Sequence, residues 1–140
     1  MKMKYKFLEH TADVKFQAYG KSLEEAFVNS VLALKATILM KAENIKVKEK
    51  IIKQVKVQGK DYEALLYNFL EEFLFLLDSE GFLLAKINKI KIKNNKLEAE
   101  ISGDKASNYK FTNDVKAVTY NEMFVKKEKS GWTTQVVLDV

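Results

Sequence analysis

The sequence predicts an α+β domain: a largely antiparallel sheet with two main helices packed on it. Two segments carry a helical apolar stripe, whereas six or more carry strand-like alternation. Helices and strands do not alternate regularly, and hairpin-like connections dominate the second half, which disfavours a parallel βαβ sheet. At 140 residues the chain suits one domain, spanning 1–140. A chain of this size buries roughly 70% of its unfolded surface, enough for a core without staples. No internal repeat, low-complexity tract or linker interrupts it.

Residues 3–8 and 14–19 read as short strands. Tyr5 and Phe7 alternate with Lys4 and Lys6, and Val14, Phe16 and Ala18 alternate with Lys15 and Gln17. EHTAD forms the polar turn between them. Ser22-Leu23-Glu24-Glu25 is a capping box, in which the Ser22 hydroxyl accepts from the Glu25 amide and Glu25 reaches back. The helix it starts puts Leu23, Ala26, Phe27, Val31 and Leu34 on one face and fades near Met40. IKVKEKIIKQVKVQG alternates lysine with Val and Ile, as in a strand half in water; the doubled Ile51-Ile52 suggests a bulge or a break. Its lysines read as a solvent face guarding an edge against aggregation.

Asp61 caps a second helix over 61–78, whose stripe of Leu65, Leu66, Phe69, Leu70, Phe73, Leu74 and Leu77 is wide enough for the main core helix. Glu63, Glu71 and Glu72 fall outside that stripe. After Gly81, 82–92 and 97–101 form strands, with Asn94-Asn95 as a tight hairpin because asparagine tolerates positive φ. Residues 103–114 read as a polar loop. Strands over 115–124 and 133–140 close the chain.

Composition narrows the chemistry. There is no cysteine, hence no disulfide, thiolate nucleophile or Cys-based metal site. The single histidine, His10, excludes a His-rich metal cluster within one chain. The net charge is +5, all of it built on lysine, since the chain has no arginine. That is mildly against dedicated base recognition, which leans on the arginine fork, although lysines still neutralise phosphates. The N-terminal apolar run is too short and too charged for a signal peptide, and FLFLLDSEGFLLA is too broken to span a bilayer. The expected compartment is the cytoplasm.

Three places carry more polar functionality than a strand or turn requires. They are Glu9–Asp13 between the first strands, Lys116–Glu122 with polar groups at alternate positions, and Asp139 inside the apolar terminus VVLDV. An aspartate there is unfavourable for strand formation and costly if buried alone. Taken singly, each has an ordinary structural explanation in turn bonds or lysine pairing.

Taken together, YKFLEHTADVKFQAYGKSLEEAF, DYEALLYNFLEEFLFLLDSE, VKAVTYNEM and the terminal VVLDV resemble the archease family along the whole chain. EHTAD is the most specific piece. The resemblance implies a protein cofactor, not itself an enzyme, of the RtcB-type RNA ligase that works in tRNA splicing and RNA repair. It implies promotion of GTP-dependent guanylylation and multiple turnover of that ligase, with GTP and tRNA engaged through it. It also implies a metal site in which Asp13 and Asp139 take part, and it places the family lysine of KAVTY on Lys116. Two carboxylates suit a hard cation, Ca²⁺ or Mg²⁺/Mn²⁺, and the α-carboxylate of Val140 is a third candidate oxygen ligand. Lys116 and His10 are candidate contacts to phosphate or to the ligase active site. Two positions depart from the family: Asn121 stands where many members have histidine, and Lys15 where a small residue is usual.

Two other readings compete. A general RNA-binding domain is motivated by the basic charge, but aromatics such as Phe69, Phe73 and Phe75 fall in the core helix instead of interleaving with lysines on an open sheet. A small metal-dependent hydrolase using Asp13, Asp139 and His10 has a thin ligand set and one candidate general base.

Overall fold

In the computed structural model, residues 3–39, 46–111 and 114–140 are described. The α+β class holds: two helices accompany antiparallel strands throughout. The strands form two sheets. One has four strands in the order β1 (Tyr5–Leu8), β2 (Val14–Gly20), β7 (Gly131–Asp139), β6 (Ala117–Glu128). The other has three in the order β3 (Ile51–Gln58), β5 (Lys96–Lys105), β4 (Phe82–Lys93).

Both helices start where the sequence caps them. α1 spans Leu23–Leu39; the Glu25 amide donates to Ser22 Oγ at 3.1 Å, and the Glu25 carboxylate accepts from the Lys21 amide at 2.9 Å. The expected fading near Met40 falls on a residue outside the described ones. α2 spans Tyr62–Glu80, with the Ala64 amide on Asp61 Oδ1 at 2.7 Å and Gly81 closing the helix in the left-handed region at φ 61°. The Asn94-Asn95 turn also forms as expected, with φ of 54° and 59°.

The helices make the layer on which both sheets pack, α1 against β2, β7 and β4, and α2 against β6, β3, β4 and β5. Phe27 of α1 stacks on Phe69 of α2, with ring centroids 6.3 Å apart. Phe16, Leu34, Leu65, Leu70, Ile101 and Leu138 are fully buried around them. The α2 stripe is therefore core, with Leu77 only half-buried. β4 carries a register shift between Leu84 and Lys86; the carbonyl of the intervening Ala85 accepts from the buried Lys35 ammonium at 3.2 Å. Burial pulls that ammonium below the ordinary lysine range.

Two segments differ from the sequence reading. Ile51-Ile52 marks the start of β3, paired in unbroken register with Gly103 and Ser102, without a bulge. Residues 46–50 lie outside the strand because the Lys48 and Glu49 amides donate to the Asp104 carboxylate at 2.8 and 3.2 Å. The presumed loop after residue 102 is strand to Lys105, then a 3-10 turn over Ala106–Asn108. Asp104 is fully buried and also accepts from the Lys105 amide, Asn108 and the Tyr109 hydroxyl. Burial alone would raise its pKa, but these donors hold it well below the usual carboxylate range. Burial and the Asp104 bond push the Tyr109 phenol up to about 12.

Candidate functional site

The first strand pair sets the site. The EHTAD turn brings the chain from β1 into β2 with Ala12 at φ 67°, so that Asp13 sits immediately before the strand. β2 then runs antiparallel to β7, with Val14 opposite Leu138. One step beyond that pair, Asp13 and Asp139 lie at the same end of neighbouring strands. β6 flanks β7 on its other side, with Ala117 opposite Asp139, and the Lys116 amide donates to the Asp139 carbonyl at 2.8 Å. Residues 126 positions apart in sequence thus share one end of three adjacent strands. Asp139 and the Lys116 side chain are exposed, Asp13 is partly exposed, and Val140 is half-buried against the core.

His10 is held from β6. Its Nε2 lies 2.9 Å from Glu122 Oε2, and an ionised carboxylate can only accept, so the ring donates there. Nδ1 is buried without a hydrogen-bond partner and faces Asp13 Oδ2 at 3.8 Å, within ion-pair reach but beyond a hydrogen bond. Lys15 Nζ donates to the other Glu122 oxygen at 3.1 Å. The bonds from His10 and Lys15 lower the Glu122 pKa. Glu122 itself sits in the irregular stretch of β6 between Thr119 and Phe124, at φ 55°, with its carbonyl accepting from the Gln135 side chain at 2.7 Å.

The structure thus gathers Asp13, His10, Lys116, Asp139 and Val140 at one end of the four-stranded sheet, and adds Glu122 and Lys15 beside them. Sequence reasoning flagged Glu122 only as the last of the alternating polar positions, and Lys15 only as a departure. The Lys15 ammonium is taken up by Glu122. Asn121 is exposed, with its amide on the Thr119 hydroxyl at 3.3 Å.

As a metal centre, the donor set is partial. Among the described residues no three His, Cys, Asp or Glu side chains form a ready-made cluster. Two carboxylates and an orphaned imidazole nitrogen still fit an ion that keeps most of its waters or completes its shell with phosphate oxygens. They do not make an all-protein cage.

The model of the archease protein family (MTH1598/TM1083) matches residues 5–140. The chain belongs to the archease family. Curated archeases agree along nearly their whole length. That of Pyrococcus abyssi is 41% identical over 98% of this chain and 99% of its own. That of Methanosarcina mazei is 36% identical over 98% and 96%. The solution structure of Methanobacterium thermoautotrophicum protein 1598 superposes with a TM-score of 0.74 at 28% identity, covering 98% of this chain and 99% of its own. The crystal structure of a Thermotoga maritima protein, described as an archease and possible chaperone, superposes at 0.61 with 21% identity over 95% and 94%, and shares the fold. Among the described residues of this archease-family chain, no helix is long and apolar enough to cross a membrane.

Proposed function

We propose that this protein activates an RtcB-type RNA ligase in tRNA splicing and RNA repair. It promotes the ligase's GTP-dependent guanylylation and multiple turnover, works in the cytoplasm, and performs no ligation of its own. The observation that carries this reading is the β2–β7–β6 pairing, which gathers Asp13, Asp139 and Lys116 at one exposed end of the sheet. Family membership supports it, and so does the chaperone-like role suggested for the Thermotoga relative.

Asp13 and Asp139 would hold a divalent ion, Ca²⁺ or Mg²⁺/Mn²⁺, with the Val140 carboxylate as a further oxygen donor. When bound, that ion neutralises phosphate charge. The chain's own residues do the rest. Lys116, whose amide bonds the Asp139 carbonyl and whose side chain is exposed, supplies a point charge for a nucleotide phosphate. Glu122 fixes the His10 ring so that Nδ1 faces Asp13, and it occupies Lys15, leaving the aspartates without an ammonium partner. The exposed end is open for docking at the mouth of the ligase's active site.

The test is guanylylation of limiting ligase with GTP and divalent metal. The protein should accelerate it. Asp13→Asn and Asp139→Asn should each lower that acceleration and divalent-ion affinity by about tenfold or more, with unchanged circular dichroism and melting temperature. No acceleration by the folded parent protein, or unfolding of the aspartate variants, overturns the reading.

A further inference from the structure

The three-stranded sheet turns one face to the helices and leaves the other bare. The inner face carries Val55, Leu97, Ala99 and Ile101, all buried. The outer face carries Lys56 of β3, Lys86, Lys89, Lys91 and Lys93 of β4, and Lys96 of β5, against Glu98 and Glu100. This face therefore holds four of the chain's five net positive charges, and the rest of the molecule is close to neutral.

The glutamates do not quench those charges. In register Lys91 faces Glu98 and Lys89 faces Glu100. Yet Glu98 is engaged from β3 by Lys56 at 3.6 Å, and Glu100 by Gln54 of β3 and Asn88 of β4 at 3.3 and 3.2 Å. Among the described residues, Lys86, Lys89, Lys91, Lys93 and Lys96 make no ion pair. Lys93 and Lys96 even stand directly opposite one another across the Asn94-Asn95 turn, a like-charge pair that costs stability. An uncompensated repulsion of this kind on a bare sheet is relieved by an anion.

We propose that this face docks the phosphate backbone of RNA. Alternate strand residues stand about 7 Å apart and adjacent strands about 4.8 Å, so the lysines form a flat grid of point charges. The face offers no aromatic side chain, and Ile52 at one corner is its one strongly exposed large apolar residue. Protein interfaces are depleted in lysine and rich in aromatic anchors, and a peripheral membrane surface pairs basic charge with an apolar wedge. This face has neither, which leaves sequence-independent contact to a polyphosphate chain. The choice of RNA over DNA rests on the ligase-activator reading. The sheet is separate from the Asp13–Asp139 end of the four-stranded sheet, so the surface would hold the substrate while the other end serves the ligase.

The experiment measures binding of a transfer RNA to the isolated protein by fluorescence anisotropy across a salt series. Five phosphate contacts give a slope of about −4 in log affinity against log salt, so a fourfold rise in salt weakens binding about 250-fold. The quadruple variant Lys89→Gln, Lys91→Gln, Lys93→Gln, Lys96→Gln should flatten that slope to about −1. A control variant, Lys6→Gln, Lys21→Gln, Lys127→Gln, Lys129→Gln, loses the same charge elsewhere and should bind as the parent does. RNA-free ligase guanylylation is run on the same samples. If the parent protein fails there but the quadruple variant still loses RNA, the surface stands and the ligase reading falls. Equal weakening by both variants, an unchanged slope in the quadruple variant, or no RNA binding at low salt overturns the proposal.

Discussion

Replacing Glu71 by alanine removes the carboxylate that accepts from a buried strand amide. β6 is an edge of the four-stranded sheet, and α2 lies along it. The Val118 amide donates to Glu71 Oε2 at 2.8 Å, and Val118 is 2% exposed. The Val125 amide donates in the same way to Glu63 Oε2 at 3.0 Å. A hydrogen bond to a charged acceptor contributes about 1.5–3 kcal/mol, and an orphaned buried donor costs a similar amount. Glu71→Ala should therefore destabilise the fold by about 2 kcal/mol, or roughly 5–10 °C in melting temperature. Glu71→Gln keeps an acceptor oxygen and should lose less than about 1 kcal/mol. Urea unfolding measures both, and amide hydrogen exchange at Val118 reads the bond directly. Glu63→Ala should behave alike, and the double variant should be close to additive because the two amides are separate. A Glu71→Ala midpoint indistinguishable from the parent, or a Gln variant as weak as the Ala variant, would refute the claim that α2 seals this edge through its carboxylates.

Other outcomes follow from the core and the buried Asp104 cluster. Leu70→Ala should cost about 2–5 kcal/mol, while the folded fraction keeps its divalent-ion affinity; titration of the ion against the variant checks this. Asp104 has a depressed folded pKa, so its contribution is complete above about pH 4 and is lost as pH falls through the folded value. Tyr109 has a raised one, so its contribution is complete below about pH 10 and is lost as pH climbs towards 12. Urea midpoints against pH should decline at both ends, and Tyr109→Phe should flatten the alkaline decline and also shrink the acid one, because it removes one of the donors that hold Asp104 down.

The helices were legible because their signals are local. Asp61, Gly81 and the Ser22–Glu25 box act within one turn, and Asn94-Asn95 supplies two adjacent left-handed residues. The division into two sheets was not legible, since alternation tells which face a residue takes and nothing of which strand lies beside it. Residues 46–50 alternate as well as β3 does. What removes them from the strand is Asp104, more than 50 residues away, which claims their amides. The same aspartate made 103–114 look like a loop, because a charged residue in a strand reads as exposed until its five donors are known. Glu63 and Glu71 read only as charges outside the α2 stripe, because the β6 amides they accept from lie 47 or more residues away.

The candidate site divides along the same line. Asp13 and Asp139 stood out by composition, and their shared end came from resemblance, since no spacing rule links residues so far apart. Glu122 required the β6 irregularity. In a regular strand residues 120 and 122 would share a face. Here Tyr120 turns to stack on Tyr67 of α2, 4.2 Å between centroids, while Glu122 reaches His10 and Lys15. The left-handed φ at Glu122 is a strained conformation for a residue with a side chain, and such strain persists where the surroundings over-determine it. Its consequence is electrostatic. With Lys15 occupied by Glu122, Asp13 meets only His10 at 3.8 Å, and among the described residues Asp139 makes no ion pair at all. Were Glu122 replaced by glutamine, the Lys15 ammonium would lose its anionic partner next to Asp13 and compete with any incoming cation. The irregularity in β6 therefore does more than interrupt the pairing with β7: by placing Glu122 on Lys15 it keeps that ammonium off Asp13.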